Sequence, residues 1–162
     1  EKRKLKGMGA TLVCGLIVGT DLHFAHVGDS RLYLYRENEL TQLTYDHSRI
    51  GLMYRKGKLN ERQARAHPHR NILNQAIGAD VQRVHPQVGT VQLAAGDWLL
   101  FCSDGVLDGL WDKNIASFLS EAGEQDSSAR EPASAILNEA IGVAGEDDTT
   151  LFVVQVAKQA MN

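Results

Sequence analysis

Cysteine is scarce in this chain: Cys14 and Cys102 are the only two among 162 residues. Two isolated thiols make neither a secreted disulfide framework nor a zinc site, which needs more ligands. Both sit inside apolar runs, where a free thiol behaves as a small hydrophobe, so both are expected buried and reduced. Long hydrophobic runs are missing too. No apolar stretch reaches the ~18 residues that a membrane span requires, and no signal-peptide pattern is visible, so a soluble, cytoplasmic domain with no membrane span is expected. Nor is there an excess of positive charge: 17 Lys and Arg stand against 20 Asp and Glu, a formal net charge of -3. That balance disfavours nucleic acid as a partner, because neutralising a run of phosphates takes a basic face. The only continuous basic run, Lys2-Arg3-Lys4 with Lys6 beside it, lies at a terminus and reads as a solvated tail. Internal repeats and low-complexity segments are absent. What is present is 43% hydrophobic residues, ample for one continuous core, and residues 1–162 read as a single domain.

The period of the apolar residues divides the chain. Residues 10–18 read as a buried strand, 19–21 as a turn, 22–27 as a second strand, 31–36 as a third and 40–43 as a fourth. Connections this short join antiparallel neighbours, which predicts a meander. Residues 46–70 are dense in charge and poor in apolar side chains, and Pro68 ends a short helical stretch at about 60–66. We read this segment as two short helices forming a surface flap. Sheet resumes over 71–78, then as a hairpin of 87–93 and 97–102 around Ala94-Ala95-Gly96. Helices are predicted over 112–122, with Asp112 as its cap, and over 129–144, with Ala133, Ile136, Leu137, Ala140 and Ile141 on one face. A loop over 122–130 separates them, and a last strand covers 149–156. Antiparallel sheet with separately grouped helices is an α+β chain. Residues 11–18 are apolar on both faces, which implies cover from elements outside this sequence and a chain that begins in mid-domain.

Three aspartates stand beside small residues at strand ends: Asp29 in Val27-Gly28-Asp29-Ser30, Asp104 in Ser103-Asp104-Gly105, and Asp147 before Asp148-Thr149-Thr150. Carboxylates without thiol or imidazole companions select hard ions such as Mg²⁺ or Mn²⁺. Two such ions about 3.5–4 Å apart can hold and activate a water against a phosphoryl group, which makes phosphate monoester hydrolysis the natural chemistry. Each Asp-Gly or Gly-Asp is equally an ordinary turn residue. The residues by themselves leave open both a metal hydrolase and a loop-rich domain without one.

The ordered series Gly7-Met8-Gly9-Ala10-Thr11-Leu12, Val27-Gly28-Asp29-Ser30-Arg31, Leu43-Thr44-Tyr45-Asp46-His47-Ser48, His67-Pro68-His69-Arg70-Asn71, Ser103-Asp104-Gly105-Val106 and Asp147-Asp148-Thr149-Thr150 resembles the bacterial branch of the PPM (type 2C) protein phosphatases. The resemblance implies two antiparallel β-sheets in a sandwich flanked by helices, with two and in some members three Mn²⁺ or Mg²⁺ ions at one end. It implies hydrolysis of phosphoserine or phosphothreonine in phosphoproteins, the targets of a Ser/Thr kinase, by a water held between the metals. Asp104 and Asp147 match ligands of the first metal, and Asp29 matches the carboxylate of a third, weaker one. Gly28, Ser30, Gly105 and Asp148 are implied supporting residues. Segment 46–70 matches the flap beside the active site, and the resemblance gives His67 within it a substrate-side role.

The departures from the family are specific. Its upstream Asp-Gly-Met/His-Gly-Gly motif, with the Asp that bridges two metals, and its upstream phosphate-binding Arg have no counterpart here. Gly7-Met8-Gly9 is not that motif, since no Asp precedes it. Asp148 replaces the usual Asn, and Ala10 stands where Thr is common. The sequence therefore also supports a non-catalytic relative that acts as a regulatory protein-binding module, and, more weakly, a structural divalent-ion module. His26 and His47 read as structural hydrogen-bonders, Trp98 and Trp111 as core or rim aromatics. Ser103 lacks the Gly-x-Ser-x-Gly context of a hydrolase nucleophile.

Overall fold

The computed structural model describes residues 7–78, 83–124, 131–144 and 147–157. The basic run at 2–6 lies outside them, as do residues 125–130 of the interhelical loop. The chain divides into two compact units, residues 1–30 with 44–91, and 31–43 with 92–162.

In the first unit, β1 (Gly9–Ala10) pairs antiparallel with β6 (Ile77–Gly78), and β2 (Leu12–Val18) pairs antiparallel with β3 (Asp21–Val27) from Leu12 opposite Val27 to Val18 opposite Asp21. A two-residue turn this tight needs a left-handed residue, and Gly19 supplies it at φ 63°. β7 (Gln87–Gln92) completes the sheet in the order β2-β3-β7. Leu22, Phe24 and His26 alternate onto the buried face of β3. A Cβ at Gly89 on β7 would meet Cε1 of Phe24 at 2.6 Å, so a glycine inside the strand makes room for that ring. Two short helices follow. α1 (Arg49–Arg55) starts where Ser48 Oγ accepts the Gly51 N–H, and α2 (Glu61–Arg65) starts in a capping box of Asn60 with Gln63.

In the second unit, β4 (Arg31–Arg36), β5 (Glu39–Gln42), β8 (Trp98–Cys102) and β9 (Leu151–Gln155) form one antiparallel sheet in the order β5-β4-β8-β9. Every residue of β8 is buried, as the centre of such a sheet demands. α3 (Asp104–Gly109), α4 (Asp112–Glu124) and α5 (Pro132–Ala144) enclose its core, in which Tyr33, Tyr35, Trp98 and Leu100 meet Val106, Ile115, Leu119 and Ile136. Pro132 at the first position of α5 suits a residue with fixed φ and no N–H to give. α3 and α5 touch backbone to backbone: a Cβ at Gly109 would lie 2.7 Å from Ala140 Cα. Tyr33 is wholly buried, and burial pushes its phenol pKa up; the hydroxyl donates to Asp112 Oδ1 at 3.0 Å and accepts from Arg31.

One ion pair pins the entry to β8. Arg36 Nε and Nη2 donate to the two oxygens of the buried Asp97 carboxylate at 2.8 and 2.6 Å, and the Ala94 N–H donates to it at 2.7 Å. Burial alone would raise the Asp97 pKa, but the Arg36 hydrogen bonds, the Ala94 N–H and the Arg36 charge outweigh it and hold the carboxyl below its usual range. Asp97→Ala is therefore expected to cost about 1–2 kcal/mol, read from the urea midpoint, because it strands the Ala94 N–H and takes two hydrogen bonds from Arg36, whose guanidinium stays solvated and keeps the Gln92 carbonyl. An unchanged midpoint would show the pair to be ornamental.

Several expectations are corrected. The strand expected over 10–18 is not buried: β2 is an edge strand, with Leu16 63% and Val18 57% exposed. Cys14 on it is exposed too, while Cys102 is buried; both are free thiols. The meander is split, because β2-β3 and β4-β5 belong to different sheets. The same holds for the expected hairpin of 87–93 and 97–102, since β7 pairs in one sheet and β8 in the other. Of the strand at 71–78 only Ile77–Gly78 forms: the Ile72 N–H is held in a turn by His69 O, and Leu73 makes an isolated antiparallel bridge to Ser48, with the Asn74 N–H donating to His47 O. α3 went unforeseen: two glycines in six residues depress helix propensity, and packing supplies what propensity lacks. Asp112, expected as the cap, is the first residue of α4 and accepts from the Tyr33 hydroxyl, the first interhelical residues Ala122–Glu124 continue α4, and Ile141 on the expected inner face of α5 is 50% exposed. No helix among the described residues is long and apolar enough to cross a membrane.

Candidate metal centre

The second unit brings Asp104 and Asp147 together. β8 ends at Cys102, and Ser103, extended at φ -76° and ψ 169°, makes no side-chain cap for α3. Its hydroxyl faces the strand opposite: Ser103 Oγ accepts the Thr150 N–H at 3.0 Å and has the Thr150 and Asp148 carbonyls within 3.3 and 3.4 Å as acceptors. The Ser103 N–H donates to Thr150 O at 2.9 Å. This stitch fixes the start of α3 against the approach to β9. Gly105 allows the contact, since a Cβ there would meet Thr149 Oγ1 at 2.7 Å and the Asp148 carbonyl at 2.9 Å.

Asp104 is the first residue of α3, where the nearby N–H groups of Asp104 and Gly105 favour its charged form. Its pKa is nevertheless raised, first by burial and then by repulsion from Asp147 and Asp108. Asp147 Oδ1 accepts the Asp148 N–H at 2.8 Å, and Thr149 Oγ1 donates to Asp147 O at 3.1 Å, so a compact turn carries the second carboxylate. Asp108 was not singled out from the sequence. Its signal was there: four residues after Asp104 on one helix, it shares that residue's face.

Crowded carboxylates that raise one another's pKa are what a hard cation relieves, and an all-oxygen donor set suits Mn²⁺ or Mg²⁺. The pair fits as part of such a site. Among the described residues no three Asp, Glu, His or Cys side chains are grouped so as to hold an ion.

The first unit holds Gly28, Asp29, Ser30 and His67. Gly28 sits at φ 111° and is gripped from both sides by His47: its N–H donates to His47 Nδ1 at 3.2 Å and its carbonyl accepts the His47 N–H at 2.7 Å. His47 Nδ1 must then carry the lone pair and Nε2 the proton. Thr11 Oγ1 and Ser30 Oγ, 2.7 Å apart, close the other side. The turn that carries Asp29 is thus fixed by two neighbouring segments. His47 is the hydrogen-bonder the sequence suggested; His26 is not. Its ring is 1% exposed, its centroid lies 4.8 Å from that of the tilted His47 ring, and neither nitrogen has a hydrogen bond of good geometry, although the Ser30 backbone and Gln87 side chain lie near enough to favour a charged ring slightly. Burial first, and then the His47 ring, push its pKa down to about 4. Burial also lowers the His47 pKa, with Arg55 assisting and Asp46 opposing. His67 accepts the His69 N–H on Nδ1 at 3.1 Å, so its ring shapes a local turn.

An α+β chain with antiparallel sheets and paired carboxylates at a strand-helix junction defines a class, and comparison with known proteins identifies it. Residues 1–49 match the family described as Protein phosphatase 2C. The chain is 33% identical over 154 residues to Protein phosphatase PhpP of Streptococcus pneumoniae, which takes in 95% of this chain and 61% of that protein. It is 34% identical over 152 residues to Serine/threonine protein phosphatase PstP of Mycobacterium tuberculosis, covering 94% and 28%. The crystal structure of the M. tuberculosis serine/threonine phosphatase PstP/Ppp superposes with a TM-score of 0.83 at 32% identity, over 97% of this chain and 64% of that one. The catalytic domain of PstP in complex with 2 manganese ions gives 0.80 at 31% identity, over 97% and 63%. The chain belongs to the protein phosphatase 2C family, and it spans about three fifths of the pneumococcal relative's length.

Proposed function

We propose that the chain is part of a metal-dependent phosphatase that removes phosphate from phosphoserine and phosphothreonine in phosphoproteins, the products of a Ser/Thr kinase in the cytoplasm. The observation that carries this reading is the electrostatic coupling of Asp104 to Asp147 across the stitched junction of α3 and β9. The PstP structure named with manganese supports a divalent ion. In this reading the two units are parts of one domain, with 46–70 its flap. Asp104 and Asp147 hold the first Mn²⁺ or Mg²⁺ and Asp29 a weaker third. Gly105 and Asp148 shape the first site, Gly28 and Ser30 aim Asp29, and His67 faces substrate. A divalent cation supplies charge neutralisation for the phosphoryl oxygens and activation of water when bound.

The test is hydrolysis of a phosphothreonine peptide with Mn²⁺ by the full gene product. Activity is expected, with loss in EDTA and a fall of about 10²-fold in Asp104→Asn. These 162 residues alone are expected to turn over near background, for want of the Asp-Gly-Met/His-Gly-Gly motif. One observation favours a second reading: Asp148, where the family has Asn, adds charge and loses an amide donor. A folded full-length product that is inert with Mn²⁺ would make the protein a non-catalytic partner-binding relative.

A further inference from the structure

Charge is unevenly distributed in this chain. Residues 49–70 contain seven arginines and lysines against one glutamate, while the rest of the chain has ten against nineteen carboxylates. The fold gives the imbalance a face. On α1 the side towards the unit holds buried Ile50 with half-buried Met53 and Tyr54, and the solvent side holds Arg49, Leu52, Arg55 and Lys56 at its C-cap, all exposed. At 100° per residue these four share one arc of the helix. Leu52, 38% exposed, lies among three cations, and no carboxylate is on that face. Lys58 in the following turn and Arg62 on α2 are exposed as well.

Partners among the described residues do not account for these charges. Arg65 pairs with Glu61 at 3.3 Å, and Arg55 lies 3.9 Å from the Tyr45 ring centroid. Arg49, Lys56, Lys58 and Arg62 make no ion pair among the described residues. Like charges left close together destabilise a short helix, and both helices are firmly capped, by Ser48 and by the Asn60–Gln63 box, so the cations are displayed on ordered backbone.

We propose that the exposed face of α1, with Lys58 and Arg62, docks an acidic stretch of the phosphoprotein substrate, so that this chain selects phosphosites flanked by Asp, Glu or further phosphates. The inference rests on the phosphatase reading and adds a substrate class to it. Complementary charge steers and orients such a partner, and Leu52 offers a peptide side chain an apolar contact. The patch is small for a nucleic acid, and its aromatic neighbour Tyr45 is covered by Arg55, leaving no platform for a base.

Binding tests this without turnover. A fluorescein-labelled phosphothreonine peptide flanked by Asp and Glu is titrated in EDTA and followed by anisotropy, beside the same peptide with Asn and Gln flanks. The acidic peptide is expected to bind about tenfold tighter at low salt, and the advantage should vanish in Lys56→Glu/Lys58→Glu/Arg62→Glu and shrink with rising salt. The milder Lys56→Gln/Lys58→Gln/Arg62→Gln, checked by circular dichroism for an intact fold, should lose most of it too. Equal affinity for both peptides, or an advantage that survives both variants, overturns the proposal. Tighter, patch-dependent binding of a single-stranded oligonucleotide would overturn it in favour of nucleic acid. If the full gene product hydrolyses both peptides without preference, only this inference fails; if the preference is present and nothing is hydrolysed, only the phosphatase reading fails.

Discussion

Gly28→Ala is expected to lower the free energy of unfolding by about 4 kcal/mol, the largest effect of any single methyl group added to the first unit. Two costs combine. At φ 111° an alanine is strained whatever surrounds it, and its Cβ would meet Thr11 Cγ2 and, at 2.6 Å, Thr11 Cβ. Thr11 cannot yield easily, because it sits between β1 and β2 and its hydroxyl is paired with Ser30. Gly19→Ala separates the two contributions. It has φ 63° but nothing within 4 Å of an added Cβ, so it should cost about 1 kcal/mol of backbone strain alone. Urea midpoints of the two variants decide the matter. Should Gly28→Ala prove no worse than Gly19→Ala, the close approach of Thr11 would be no real constraint, and the fixed aim of Asp29 would lose its support.

The second large effect is a pH dependence of stability centred on His26. Its pKa in the fold is about 4 against 6.5 for a free histidine. Above pH 6.5 the ring is neutral folded and unfolded, and the stability is fully present. As pH falls from 6.5 towards 4, the unfolded chain takes up a proton that the buried ring refuses. Stability then falls by about 1.4 kcal/mol per pH unit, about 3 kcal/mol in all. Below the folded pKa both states are protonated and this loss levels off. His26→Leu should flatten the profile of urea midpoint against pH and cost little near neutrality, because a ring without hydrogen-bond partners brings little beyond packing. His47, whose pKa burial also lowers, leaves a smaller slope of the same sign in the variant. Parallel profiles for parent and variant would show that the buried ring is not the source.

Strands and helices were largely legible because their signals are local. Arg31–Arg36 reads as a strand from alternation alone and forms over those residues, and the helix read at 112–122 forms as Asp112–Glu124. Partnership was not legible. Short connections suggested a meander and a hairpin, but a chain turning at Gly28, or at the Ala94–Asp97 corner, can enter a new sheet as readily as return to the old one. Burial failed on the same ground. The apolar pattern of β2 says what the strand would cover, and the fold leaves it at an edge, exposed.

Within the candidate site the distinction is sharper. The sequence by itself determined which carboxylates are available, that their companions are oxygen donors and small residues, and the family resemblance that the comparisons bear out. It also determined the charge of segment 49–70, since composition needs no coordinates. Only the tertiary structure decided that Asp104 and Asp147 share one place, that Asp108 adds to their field, and that His26 is sealed without hydrogen bonds. The physical reason is that a side chain's identity is covalent and local. The repulsion between two carboxylates and the cost of burying a ring depend on distance and solvent exposure, and only the packing of segments remote in sequence sets those.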